Sequence, residues 1–145
     1  MLVSDGNGIP IGFHLAAANR SEHKLAEQTL ASVKVNQPRG RARTRPEQLC
    51  ADRGYTSKHF RTYLRKRGIK NCIPEKRRPK RWKPKRGRPI RYDAELYKQR
   101  FIIERTFAWL GNYRRLLIRW DNSFSVYRGF FLLALVQLCL NRLLK

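Results

Sequence analysis

Two carboxylates stand out in this chain because almost everything around them is basic. Asp52 follows the short apolar run Leu49-Cys50-Ala51, with Arg53 and Gly54 directly behind it. Glu104 lies in the apolar part of a long segment with helical periodicity, between Ile103 and Arg105. One acid at a strand end and one on a helix form the kind of oxygen-ligand set that hard cations such as magnesium require. Two such ions can clamp the attacking and leaving oxygens of a phosphodiester displacement. Each acid also has a plainer reading. Asp52 can cap the helix that follows. Glu104 stands four residues after Arg100, the spacing of an ordinary helical ion pair. Spacing alone leaves both readings open.

Composition narrows the partners. The 145 residues carry 33 Lys and Arg against 10 Asp and Glu, a net charge of +23, and the pI is near 11.2. Such a charge destabilises the isolated compact state by self-repulsion and calls for a polyanion. Nucleic acid is the first candidate, because phosphate neutralisation by Lys and Arg dominates that affinity; an anionic membrane surface fits less well. A hydrophobic fraction of 41% argues for a folded chain, and the length suits one domain. Cys50, Cys72 and Cys139 each sit in an apolar run without metal-like spacing, which predicts buried free thiols and a reducing cytoplasm. Residues 1–20 lack the order of a signal peptide. The apolar run 130–136 is too short for a membrane span and reads as a buried helix. His14, His23 and His59 are scattered and receive no metal or catalytic role.

The elements that must position the two acids follow from periodicity. An apolar stretch, a turn at Asp5-Gly6-Asn7-Gly8 and a second apolar stretch predict a hairpin. A helix over 21–35 follows, with Ser21 as its cap and Leu25, Ala26, Thr29, Leu30 and Val33 on one face. After a Pro/Gly/Arg loop, 48–52 reads as a buried strand ending at Asp52. A helix over 56–68 comes next, with Phe60 and Leu64 inward and Gly68 as its stop, and then a strand at 69–74. This β-α-β order predicts a parallel or mixed sheet covered by helices. Residues 74–92 form a basic loop, within which 74–89 are nearly all Lys, Arg and Pro. It is either a solvated linker or a phosphate-binding segment formed by Lys76, Arg77, Arg78, Lys80, Arg81, Lys83, Lys85, Arg86 and Arg88, with Trp82 able to stack on a base. Residues 92–120 read as one long helix, kinked at Gly111, with an acid (Asp93 or Glu95) near its start and Arg114, Arg115 and Arg119 near its end. It would place Tyr97, Arg100, Glu104 and Gly111 on roughly one face. Trp109, Trp120, Phe101, Phe107 and Leu110 read as core. A mostly buried helix closes the chain.

"LCADRGYTS" resembles the second-aspartate segment of DDE-type insertion-sequence transposases, and "YKQRFIIERTFAWLGNYRRLLIRWD" resembles their C-terminal glutamate segment. "DGNGIPIGFHLAAANRSEHK" is similar to the hairpin these enzymes carry between their first and second acids. Within that family the resemblance is to the insertion sequence 5 group of the wider insertion sequence 4 family, and it spans nearly the whole chain. It implies an α/β, ribonuclease-H-like fold with long C-terminal helices. It also implies that Asp52 is the second metal-ligating aspartate and Glu104 the catalytic glutamate, holding Mg2+ (or Mn2+) in the complete enzyme. Tyr97 and Arg100 match the tyrosine and arginine of the family's Tyr-x2-Arg-x3-Glu-x6-Lys pattern, which implies contacts to transposon-end DNA. The pattern's lysine falls on Gly111, so Arg114 or Arg115 is the substitute phosphate contact, and Arg105 joins the expected DNA-binding set. The family's first aspartate sits upstream of the hairpin. Asp5 occupies the turn and is not its replacement. The 145 residues therefore read as a single, N-terminally truncated, incomplete catalytic domain.

Three functions follow as expectations. The first is a transposase fragment, relic or part of a frame-split enzyme, inactive by itself, acting on double-stranded DNA at transposon ends and target. Its expected setting is the bacterial cytoplasm, nucleoid-associated and without a membrane. A homodimer, or assembly with an N-terminal transposase part, is the candidate assembly. The second is a non-catalytic basic DNA-binding regulator derived from a transposase. The third, a basic RNA binder, explains the charge but not the two acids.

Overall fold

The computed structural model describes residues 1–17, 19–75 and 93–144. The backbone divides into two units, Met1–Thr44 with Phe101–Lys145, and Arg45–Arg100.

The first unit opens with the hairpin. Strands β1 (Leu2–Ser4) and β2 (Pro10–Phe13) pair antiparallel, with Leu2 opposite Phe13 and a bulge after Val3. The Asp5 carboxylate builds the turn by accepting the backbone N–H groups of Asn7 at 2.9 Å and Ile9 at 2.8 Å. Gly8 closes it at φ 86°, a left-handed conformation that costs a glycine little. Helix α1 (Glu22–Ala31) buries Leu25, Ala26, Thr29 and Leu30, and Val33 just beyond it is buried too. Ser21 precedes it in an extended conformation, but its hydroxyl makes no capping bond, contrary to expectation.

The second unit is the expected β-α-β. Strand β3 (Gln48–Cys50) pairs parallel with β4 (Lys70–Cys72), and α2 (Lys58–Lys66) connects them. Ser57 caps α2 by accepting the Phe60 N–H at 3.1 Å, Phe60 and Leu64 point inward, and Gly68 stops it at φ 67°. The described strands thus form two two-stranded ribbons, one antiparallel and one parallel, where a single parallel or mixed sheet was expected.

The long helix expected over 92–120 is three helices: α3 (Ala94–Lys98) in the second unit, and α4 (Phe101–Gly111) and α5 (Arg114–Leu117) in the first. The first break has a local cause. The Leu96 carbonyl would accept the Arg100 N–H in a continuous α-helix. It takes the Gln99 N–H at 3.1 Å and the Cys50 thiol at 3.7 Å instead, and the Arg100 N–H turns back to Tyr97. Tyr97 and Arg100 therefore do not share a helix face with Glu104. Asp93 caps α3 as expected, accepting the N–H groups of Glu95 and Leu96.

Helix α6 (Phe124–Leu143) closes the chain. Its Phe131, Ala134, Leu135 and Leu138 join Leu2 and Leu110 in the core, with Phe13 packed on Phe131 at a ring separation of 5.1 Å. The expectation of a mostly buried helix holds for this face alone, because Leu133, Val136, Leu140 and Leu143 are exposed. At 20 residues the helix is also long and apolar enough, by composition, to cross a membrane, which the run 130–136 alone is not. Phe101, Phe107 and Trp120 are exposed as well, so only Leu110 and half-buried Trp109 keep the core role expected of these residues. The amphipathic α4 turns Thr106 and Leu110 inward, which leaves Phe101 and Phe107 outward. The three cysteines are free thiols, but only Cys72 is buried; Cys50 and Cys139 are half-buried.

Candidate functional site

Asp52 sits two residues beyond the end of β3. There its backbone leaves the strand and its side chain caps a short 3-10 turn, Arg53–Tyr55, by accepting the Arg53 N–H at 2.8 Å. The capping reading of Asp52 is thus true of this turn, while Ser57 caps the α-helix. The same oxygen, Oδ1, also receives the Tyr97 hydroxyl at 3.4 Å. The carboxylate is exposed and Oδ2 makes no hydrogen bond among the described residues, so one oxygen remains open to a ligand.

Tyr97 comes from α3, 45 residues along the chain. Arg100 lies over its ring, 5.9 Å from the centroid. Burial pushes the Tyr97 phenol above its ordinary range; Arg100 opposes that shift, and the Asp52 carboxylate adds to it. Two thiols tether α3 to the ribbon: Cys72 donates to the Asp93 carbonyl at 3.0 Å and Cys50 to that of Leu96 at 3.7 Å. Burial first, and then the neighbouring Cys72, push the Cys50 thiol up to about 12, so Cys50 acts as a weak donor rather than a nucleophile.

Sequence reasoning missed Arg61. From α2 it donates to Thr56 Oγ1 at 2.7 Å, Asn71 Oδ1 at 2.7 Å and the Ile73 carbonyl at 2.8 Å. It ties the end of the turn that follows Asp52 to strand β4. In the sequence it is one arginine among many, and only its half-burial distinguishes it.

Glu104 belongs to the first unit, in the first turn of α4, with an exposed side chain. Arg105 beside it lies 5.8 Å from the Phe101 ring centroid and 5.1 Å from that of Trp109. On α5, Arg115 is drawn to Phe130 at 5.2 Å and to Asp121 Oδ1 at 3.8 Å. The Arg114 guanidinium takes no partner among the described residues and is the better placed of the two to meet a phosphate. A side chain at Gly111 would meet nothing within 4 Å. Asp121, which the sequence did not single out, keeps a buried Oδ2 without a hydrogen bond. Lys76, Arg77, Arg78, Lys80, Arg81, Trp82, Lys83, Lys85, Arg86 and Arg88 lie outside the described residues.

Residues 1–139 match the Transposase DDE domain family. The chain belongs to this family. It is similar to a Burkholderia cepacia protein described as a "putative transposase for insertion sequence element IS402", with 33% identity over 146 residues. That match covers 98% of this chain, which spans 62% of the relative's length. No solved structure matches. The small sheets and flanking helices are a mixed α/β arrangement consistent with a DDE transposase domain.

Transposases of this kind act on DNA and generally use divalent metal ions. Asp52, with one oxygen held by two donors and the other open, fits one ligand position of a hard cation. Among the described residues no group of three or more His, Cys, Asp or Glu side chains gathers around a common point.

Proposed function

We propose that this chain carries the second and third acids of a DDE transposase of the insertion sequence 5 group, with a ribonuclease-H-like fold. Asp52 and Glu104 hold Mg2+ or Mn2+ in the complete enzyme, and Tyr97, Arg100, Arg105, Arg114 and Arg115 contact DNA. The observation that carries this reading is Asp52 itself. It stands just past a strand end with one carboxylate oxygen open, and the tyrosine of the family's motif reaches its other oxygen.

The reaction is phosphodiester cleavage and strand transfer at insertion-sequence ends. Water attacks the phosphorus, a new P–O bond forms and the bond to the 3′ oxygen breaks. The freed 3′ hydroxyl then attacks a target phosphodiester in the same way. Bound divalent ions would stabilise the charge on the attacking and leaving oxygens. Asp5 is not taken as the first acid, because it occupies the hairpin turn, where its Oδ1 accepts two backbone N–H groups, and the family's first aspartate lies upstream of the hairpin. A homodimer, or assembly with a transposase segment that supplies the first acid, belongs to this reading, as does a cytoplasmic, nucleoid-associated setting. The exposed apolar residues of α6 support a protein partner.

The test uses the purified chain and duplex DNA. Affinity should fall steeply with salt, by a slope of about −0.9 per phosphate contact. These residues alone should show no magnesium-dependent nicking. Nicking that Asp52→Ala abolishes would overturn the need for a further acid, and a flat salt response would overturn the DNA reading altogether. The composition also supports a second reading, a non-catalytic regulator that binds DNA through its basic segment. Steep salt dependence with no cleavage, even when the first acid is supplied on a co-expressed segment, would favour it.

A further inference from the structure

We propose that the cleft between the end of α4 and the C-terminal half of α6 receives an unpaired nucleobase of DNA. It has a volume of about 370 Å3, within the range of small-molecule sites. Trp109 and Asn112 line it from one side, and Gln137, Leu138, Asn141 and Arg142 from the other. All belong to the first unit.

Three features select the ligand. The first is a stacking platform. The Arg142 guanidinium lies 4.0 Å from the Trp109 ring centroid, close enough for contact between the two groups. A guanidinium held against an indole offers its outer face to another ring, as Arg and aromatic planes do for unstacked bases.

The second is a matched pair of hydrogen-bonding groups. Gln137 Nε2 donates to Asn141 Oδ1 at 3.1 Å. That bond uses one donor and one acceptor and leaves Gln137 Oε1 as an acceptor beside the Asn141 amide as a donor. Adjacent donor and acceptor groups are what a base edge presents in return, and carboxamides read such edges.

The third is what the lining lacks. It contains no carboxylate, one cation, three carboxamides, the aromatic Trp109 and Tyr113, and the buried Leu138. Phosphate alone is bound by clustered cations and backbone N–H groups. A neutral, flat ring with polar edges suits this lining better.

The inference rests on the DNA reading above but can fail separately from it. The experiment compares three duplexes that share one sequence: one blunt, one with a short single-stranded tail, and one with an abasic tail of equal length. The two tails carry the same phosphates and differ only in bases. The chain should bind the tail with bases about tenfold more tightly than the abasic tail, in line with the energy of one or two stacked bases. Gln137→Leu with Asn141→Leu, both at exposed positions, should abolish that preference. It should leave the blunt-duplex affinity and its salt slope unchanged. Equal binding of the two tails, or a preference that survives the double substitution, overturns the cleft. Loss of all duplex binding by the unaltered chain would instead overturn the DNA reading.

Discussion

Asp52 shows how one side chain can serve both local structure and chemistry. Its Oδ1 is committed to the Arg53 N–H and the Tyr97 hydroxyl, while Oδ2 is open. The pair makes a titration prediction. Burial raises the Tyr97 phenol most, Arg100 lowers it, and the Asp52 charge and hydrogen bond raise it. Asp52→Asn should therefore bring the phenol down and Arg100→Gln should send it up. Ultraviolet titration of tyrosinate, with Tyr97→Phe as the reference, reads both changes. A shift in the wrong direction for either variant would sink this account of the contact. The sign also fixes a stability trend. A phenol raised in the fold adds stability that is fully present below its unfolded value near 10 and is lost as pH climbs through the folded value. The two acids were legible in the sequence because an acid is conspicuous among so many cations. The Tyr97–Asp52 contact was not legible: the motif marked Tyr97 for DNA, and its partner lies 45 residues away along the chain. Arg61 was not legible at all: its role depends on burial and on three oxygens brought together by folding.

Among elements, α4 is tied to the hairpin turn by one buried hydroxyl. Thr106 Oγ1 lies 3.0 Å from the Gly8 carbonyl at the hairpin turn and 3.0 Å from the Ile102 carbonyl within the helix. Thr106→Val keeps the shape and leaves the Gly8 carbonyl without this donor, which should cost about 1–3 kcal/mol in denaturant unfolding. Gly8→Ala should destabilise by a different route, because φ is 86° and the added carbon would stand 3.0 Å from Thr106 Oγ1 and 3.2 Å from Trp109. A neutral result for both substitutions would mean that α4 does not rest on the hairpin in solution. The hairpin, α1, α2 and the parallel ribbon were readable because turn residues and apolar spacing agree there. The break between α3 and α4 was not. The residues from Leu96 to Ile103 include nothing that forbids a helix; at the break the Leu96 carbonyl meets the Gln99 N–H and the Cys50 thiol, contacts the sequence does not display. The exposed face of α6 was hidden for a related reason. An apolar helix has the same composition whether one face or both are covered, and only the packed core shows that Phe131, Ala134, Leu135 and Leu138 are the covered side.

For the whole molecule, charge outweighs any single contact. A net +23 on 145 residues places cations close together, and 10 acids cannot offset 33 Lys and Arg. Among the described residues, the Lys98–Glu95 bridge at 2.7 Å is exposed on both sides and contributes little. Several arginines also lie over aromatic rings: Arg105 and Arg142 at Trp109, Arg115 at Phe130, Arg119 at Tyr127. Those contacts give a guanidinium a partner without cancelling its charge. Self-repulsion should therefore limit the stability of the free chain. Raising salt from ~0.01 M to ~0.1 M shortens the screening length from about 30 Å to about 10 Å. The thermal midpoint should rise over that interval, the reverse of what salt does to a fold held by surface ion pairs. At low salt, duplex DNA should raise the midpoint further, by mass action on the folded state. At high salt the increment from DNA should vanish while the increment from salt remains. A midpoint that falls with salt would mean that attractive pairs outweigh repulsion, and the charge would then no longer argue for a polyanionic partner.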